Sequence, residues 1–163
     1  MAIMPTVGTS TPVLTAASIN SEPVFEIPVR VYYEDTDAEG IVYYANYLKF
    51  FERARTEQLR ALGIEQCRLR EQRGIVFVVR SVEIEYLRSA VLDDALRVSV
   101  AVTAWRRSAL RFHQQVRRAG ERLVVADVLV VCIDAHRARP CAIPADIKTA
   151  LTAHPDGPDA GRC

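Results

Sequence analysis

The most polar stretch of this 163-residue chain is Tyr33-Glu34-Asp35-Thr36-Asp37-Ala38-Glu39-Gly40, with four carboxylates in six consecutive positions. A carboxylate serves as nucleophile or as general base, and Gly40 lets the backbone turn tightly. The pattern that follows is helical. The first N–H groups of a helix have no intrahelical acceptor and carry the positive end of its dipole. Carboxylate and donors together make two parts of an acyl-transfer site, the donors holding a carbonyl oxygen that becomes an oxyanion. The plainer alternative is that the acidic residues cap the helix and complement its dipole. Residue types alone leave both open.

Other chemistries fit less well. DTDAEG partly matches a calcium loop, but Glu39 stands at the fifth position and Asn46 at the twelfth, where a bidentate Glu is required. A strand precedes it, not a helix. A D-x-D nucleophile of phosphoryl transfer needs a parallel sheet with several helices, and one long helix is expected here. Ser81, Ser89, Ser99 and Ser108 lack the G-x-S-x-G elbow of a Ser triad. His113, His136 and His154 have no carboxylate or Cys at a telling spacing and read as surface or structural. Glu52 and Glu57 sit among Arg53, Arg55 and Arg60, which predicts surface ion pairs.

The elements that position the acidic turn follow from hydrophobic period. Val24–Tyr33 alternates about Ile27, Val29 and Val31 and is interrupted by Pro28, as in an edge or bent strand. From Val42 to Leu62 the period is helical, with Tyr47, Phe51 and Ala54 on one face and Gly63 as the stop. Period two returns around Val82–Tyr86, Leu96–Val102 and Leu110–Val116, and Arg118-Ala119-Gly120-Glu121 reads as a hairpin turn. Leu123–Ile133 is almost continuously apolar, the mark of a strand covered on two faces. The expected architecture is α+β: an antiparallel sheet wrapped round one long helix. One helix cannot cover such a sheet, so a dimer is expected.

Composition bounds the rest. The length suits one domain, expected at 24–150 between a Thr/Ser/Ala/Pro-rich arm at 1–23 and a tail at 151–163. A formal charge of +1 gives no dominant nucleic-acid surface. Only Lys49 and Lys148 among the 21 basic residues are lysine, a skew that compositional bias explains as readily as phosphate recognition. Cys67, Cys132, Cys141 and Cys163 form no CxxC and read as unpaired thiols in a reducing compartment. No run approaches a membrane span, and the first 20 residues do not resemble a secretory signal, so a cytoplasmic location is expected.

The run VYYEDTDAEGIVYYANYLKFFERARTEQLRALGI (Val31–Ile64) resembles the signature of hotdog-fold acyl-CoA thioesterases of the 4-hydroxybenzoyl-CoA thioesterase type. It is most similar to the bacterial branch associated with the Tol–Pal envelope system. The likeness continues through RGIVFVVRSVEIEYLRSAVLDD and closes with RPCAIP at Arg139–Pro144. It implies a hotdog fold and hydrolysis of short-chain or aromatic acyl-CoA to free acid and CoA, without metal or organic cofactor. It implies that Asp37, the second Asp of D-x-D, is base or nucleophile. It also implies that the backbone N–H at Tyr44 polarises the thioester carbonyl. Tyr33, Val42 and Tyr43 fall where the family's substrate-binding positions lie, and Asp35 where a structural carboxylate holds the turn. The envelope-associated branch has His in a YHANY context where this chain has Tyr44, the residue that the 4-hydroxybenzoyl type resembles there. Arginines between Trp105 and Arg122, with Arg88 and Arg139, are candidates for the CoA phosphates, and Trp105 for adenine stacking or core cover. Homodimers or homotetramers are implied, with an acyl carrier protein as a further possible donor. A non-catalytic acyl-CoA or acyl-carrier-protein binding subunit is the competing reading, and enoyl-thioester hydration ranks last for want of a His beside Asp37.

Overall fold

The computed structural model describes residues 25–153; the expected arm at 1–23 and all but the first three residues of the expected tail lie outside them. Strand β1 (Phe25–Arg30) leads through a 3-10 turn (Tyr33–Asp35) to helix α1 (Asn46–Ala61). Helix α2 (Gln66–Arg73) follows, then strands β2 (Ile75–Tyr86), β3 (Ala95–Trp105), β4 (Ala109–Arg118), β5 (Glu121–Asp134) and β6 (Arg139–Pro140), and helix α3 (Ala145–Ala153). The strands form one antiparallel sheet in the order β1-β3-β4-β5-β2, with β6 beside β5. No helix among the described residues is long and apolar enough to cross a membrane.

Helix α1 packs on β1, β3 and β4. It forms because Tyr47, Phe50, Phe51, Ala54 and Leu59 share a face whose burial outweighs the helix's polar remainder. Phe50 and Phe51 are fully buried, and each contributes about 1.5–3 kcal/mol by leaving water. Facing them, Leu110, Phe112, Gln114 and Val116 of β4 are all buried, as the period of two requires. β5 lies between β4 and β2 and is apolar on two faces, as expected. Pro28 does sit on an edge strand, opposite Arg97, where its missing N–H breaks no ladder. This is a helix wrapped by an antiparallel sheet, the hotdog arrangement.

Three departures from the expected elements have physical causes. Helix α1 begins at Asn46, not Val42, because Ile41 and Val42 are held in β-bridges to Val91 and Thr36. Helix α2 is short and strongly polar, with only Leu69 buried, so its period is faint. Helix α3 extends to Ala153, past the expected boundary at 150, because Ile147 and Leu151 insert into the core. Trp105 packs against that core with Lys148 Nζ of α3 5.7 Å from its ring centre. Leu151→Ala should therefore lower the unfolding free energy by about 2–5 kcal/mol. Leu48→Ala, on the exposed side of α1, should cost less than about 1 kcal/mol. Urea denaturation of the two variants checks the difference.

Candidate active site

The acidic segment is a folded loop closed at several points. β1 delivers the chain to buried Val31, whose N–H donates to Asp94 and whose carbonyl accepts from Asp93, each at 3.1 Å. Asp35 then turns inward. Its Oδ2 accepts from the Tyr32 N–H at 2.9 Å, and its carbonyl accepts from the Tyr43 N–H and from Asn46 Nδ2, also at 2.9 Å. One buried residue thus ties the loop's start to its end, in agreement with the structural role expected of Asp35.

Asp37 sits at the tip. Its N–H donates to Ile41 at 2.9 Å and its carbonyl accepts from Gly40 at 3.0 Å, a tight turn in which Gly40 takes a φ of 76°. That left-handed conformation is what requires glycine. The Asp37 carboxylate is half-buried, and its Oδ1 accepts from the Glu39 N–H at 2.9 Å. Among the described residues no donor is bonded to Oδ2.

The acidic residues do not cap α1. Its N-cap is Ala45, without a side-chain hydrogen bond, and its first turn holds no acidic residue. The N–H groups of Val42 and Tyr43 are taken by the carbonyls of Ala90 and Asp35, and that of Asn46 by Tyr43. Those of Tyr44 and Ala45 have no acceptor among the described residues. A half-buried carboxylate and an uncapped pair of N–H donors therefore lie on the two arms of one closed loop.

The remaining expected positions divide. Tyr33 is 81% exposed, and Tyr43 and Tyr44 are exposed with ring centres 4.6 Å apart, so all three can meet a ligand. Val42 differs from these: its side chain is in the core and its N–H is bonded to the Ala90 carbonyl. Tyr86 had no place in the sequence reading of the site, yet its hydroxyl donates to the Tyr44 carbonyl at 3.1 Å.

Away from the loop, Glu57 and Arg60 form the expected surface pair, but Arg55 does not. It points toward the sheet and donates to Gln114 Oε1 at 2.6 Å, and burial pushes its pKa down against the opposing pull of Glu52. It borders a cavity of about 100 Å³ with Leu59, Phe77, Leu110 and Phe112. Of the arginine candidates for phosphate, Arg88 pairs with Glu121 and Arg118 with Asp94. His113, expected to lack a partner, has Asp127 Oδ1 3.4 Å from its Nδ1 across the β4–β5 register. Cys132 and Cys141 are free, but their sulfurs lie 3.5 Å apart; burial, reinforced by Cys141, pushes the Cys132 thiol up to about 12.

An antiparallel sheet wrapped round one helix, with the acidic loop entering that helix, defines the hotdog class. Residues 31–151 match the Thioesterase-like superfamily, and the chain belongs to it. It is 46% identical to the acyl-CoA thioesterase YbgC of Haemophilus influenzae over 127 residues, 78% of this chain and 93% of the relative. It is 28% identical to the 1,4-dihydroxy-2-naphthoyl-CoA hydrolase of Thermosynechococcus vestitus over 137 residues, 81% of this chain and 94% of that one. The crystal structure of a probable thioesterase from Bartonella henselae superposes with a TM-score of 0.70 at 32% identity, over 74% of this chain and 99% of that one.

Asp35 and Asp37 should separate in their effect on stability. Asp35→Ala removes a buried acceptor and should lower the unfolding free energy by about 1–3 kcal/mol. Asp37→Ala, losing one local bond at the loop tip, should cost less than about 1 kcal/mol. Equal losses in urea would contradict this division of roles.

Proposed function

We propose that this chain hydrolyses acyl-CoA thioesters carrying short-chain or aromatic acyl groups, in the cytoplasm, with Asp37 as nucleophile or general base. The observation that carries this reading is the Asp37 carboxylate on the same closed loop as the uncapped N–H groups of Tyr44 and Ala45. In the nucleophilic course Asp37 attacks the thioester carbonyl, the CoA thiolate leaves, and water opens the resulting mixed anhydride. In the general-base course Asp37 takes a proton from water as that water attacks. Either way negative charge gathers on the carbonyl oxygen, and the N–H of Tyr44 stabilises it. The similarity to an acyl-CoA thioesterase at 46% identity supports the substrate class. The exposed rings of Tyr33, Tyr43 and Tyr44 suit a flat acyl group.

Asp37→Asn keeps the size of the side chain and removes both its basicity and its charge. It should lower kcat/KM by at least about a hundredfold. The check is loss of thioester absorbance for acetyl- to palmitoyl-CoA, benzoyl-CoA and 4-hydroxybenzoyl-CoA, a readout that the cysteines do not contaminate. Retention of most activity would remove Asp37 from the mechanism. A protein that binds CoA but turns over nothing on the panel would be the binding subunit instead.

The working unit in this reading is a dimer joined through β2. That strand spans 12 residues, pairs on one side only with β5, and exposes Val78, Val79 and Val82. A long, apolar, unpaired edge is a template for a second copy. Val78→Lys with Val82→Lys should convert a two-chain species into a one-chain species in sedimentation velocity, and turnover should fall with it. An unchanged two-chain mass would exclude β2 as the contact.

A further inference from the structure

Tyr86 stands at the end of β2, where the strand is anchored: the N–H groups of Leu87 and Arg88 both donate to the Leu123 carbonyl, at 2.8 and 3.0 Å. Its ring lies between two others, with centres 6.3 Å from Tyr44 in an edge-on contact and 5.9 Å from Tyr47. Tyr47 is itself fixed, its hydroxyl accepting from the Ala90 N–H at 3.0 Å. From this anchored place the Tyr86 hydroxyl reaches 42 residues back along the chain and donates to the Tyr44 carbonyl at 3.1 Å.

That carbonyl belongs to the same peptide unit as the Ala45 N–H, which, like that of Tyr44 at the entry to α1, has no acceptor among the described residues. A hydrogen bond to the oxygen of an amide draws electron density toward it and leaves the N–H on the other side a stronger donor. It also holds the peptide plane, so the donor need not reorganise as charge develops. Half of Tyr86 is exposed, so core packing does not account for the placement of its hydroxyl. Burial of the remainder, with Tyr44 beside it, raises its pKa, which keeps the hydroxyl protonated and donating through neutral and mildly alkaline pH.

We infer that Tyr86 is a positioning residue for thioester hydrolysis: its hydroxyl holds and polarises the 44–45 peptide, so that the Ala45 N–H joins that of Tyr44 in stabilising the oxyanion. The inference rests on the thioesterase reading above and adds to it a second donor and the side chain that sets it. Tyr86 touches no reacting atom. Its contribution appears in the transition state and leaves ground-state binding nearly unchanged.

The test is Tyr86→Phe, which keeps the ring and its contacts with Tyr44 and Tyr47 and removes only the hydroxyl. With benzoyl-CoA, kcat should fall about tenfold, less than the loss of a whole oxyanion donor, while KM stays within about twofold. A second readout reports on the carbonyl itself. In an Asp37→Asn background, benzoyl-CoA labelled with 13C at its carbonyl should show a smaller downward shift of its C=O stretch when Tyr86 is also Phe. Unchanged kcat and an unchanged stretch would overturn the inference while leaving Asp37 in place. A change confined to KM would overturn it too, making Tyr86 a wall of the binding site. Turnover that survives Asp37→Asn would overturn the underlying reading, and this inference with it.

Discussion

The site depends on one buried peptide. Asp35 accepts three hydrogen bonds, one at its carboxylate from Tyr32 and two at its carbonyl from Tyr43 and Asn46. These bonds fold residues 32–46 into a closed loop, which carries both Asp37 and the donors proposed to work with it. With the loop closed, Asp37 is lifted to the tip and Tyr44 and Ala45 are brought to the start of α1. Without it the carboxylate and the donors are seven and eight residues apart on an unclosed segment, and holding them together would cost loop-closure entropy on each encounter with substrate. The acidic residue that matters most to geometry is thus Asp35, and not Asp37, for which the reaction is proposed.

The loop in turn is anchored by the wrapped helix. Phe50, Phe51 and Ala54 fix α1 against the sheet, and fully buried Gln114 donates to the Phe51 carbonyl at 3.0 Å while accepting from Arg55. Buried polar groups of this kind are tolerable only when paired, and here the pairing sets the helix's position along β4 as well as its distance from it. Ala90 completes the frame from the other side: its carbonyl accepts from Val42 and its N–H donates to the Tyr47 hydroxyl. The site's backbone is therefore braced by the helix below it and by the β2–β3 connection beside it.

Much of this was legible in sequence, and what was not has a common cause. Period two and the helical stripe located the sheet and α1, and Pro28 marked an edge strand. The Val31–Ile64 signature pointed to Asp37 and Tyr44. The start of α1 was misplaced because Val42, Tyr43 and Tyr44 continue its apolar spacing, although Val42 is in fact drawn to Ala90. Helices α2 and α3 were missed because they are short, α2 with a single buried side chain and α3 with two. Arg55, the His113–Asp127 pair, the Cys132–Cys141 contact and the Tyr86 bond to Tyr44 all depend on register or on side-chain direction across the sheet. No one-dimensional spacing encodes those: one residue of slip would turn Tyr86, His113, Asp127 or Cys132 to the opposite face of its strand, and Arg55 meets Gln114 only once α1 is docked on β4.

The uncapped start of α1 shows how stability and chemistry are divided. Ser, Thr, Asp or Asn at the N-cap would stabilise the helix by about 1 kcal/mol over Ala, yet Ala45 stands there and the acidic residues are held back in the loop. A capping side chain at position 45 would accept from the N–H of Tyr47 or Leu48 and would bring its oxygen beside the Tyr44 and Ala45 N–H groups that the proposed oxyanion needs. The deficit is small beside the burial of Phe50 and Phe51, so the fold tolerates it. Local rules broken without structural gain tend to mark function. Here a poor cap, an exposed trio of tyrosines and the Asp37 carboxylate coincide in one loop closed through Asp35. The core makes the helix stable enough to begin without a capping side chain, which leaves the N–H groups of Tyr44 and Ala45 open to the oxyanion proposed for them.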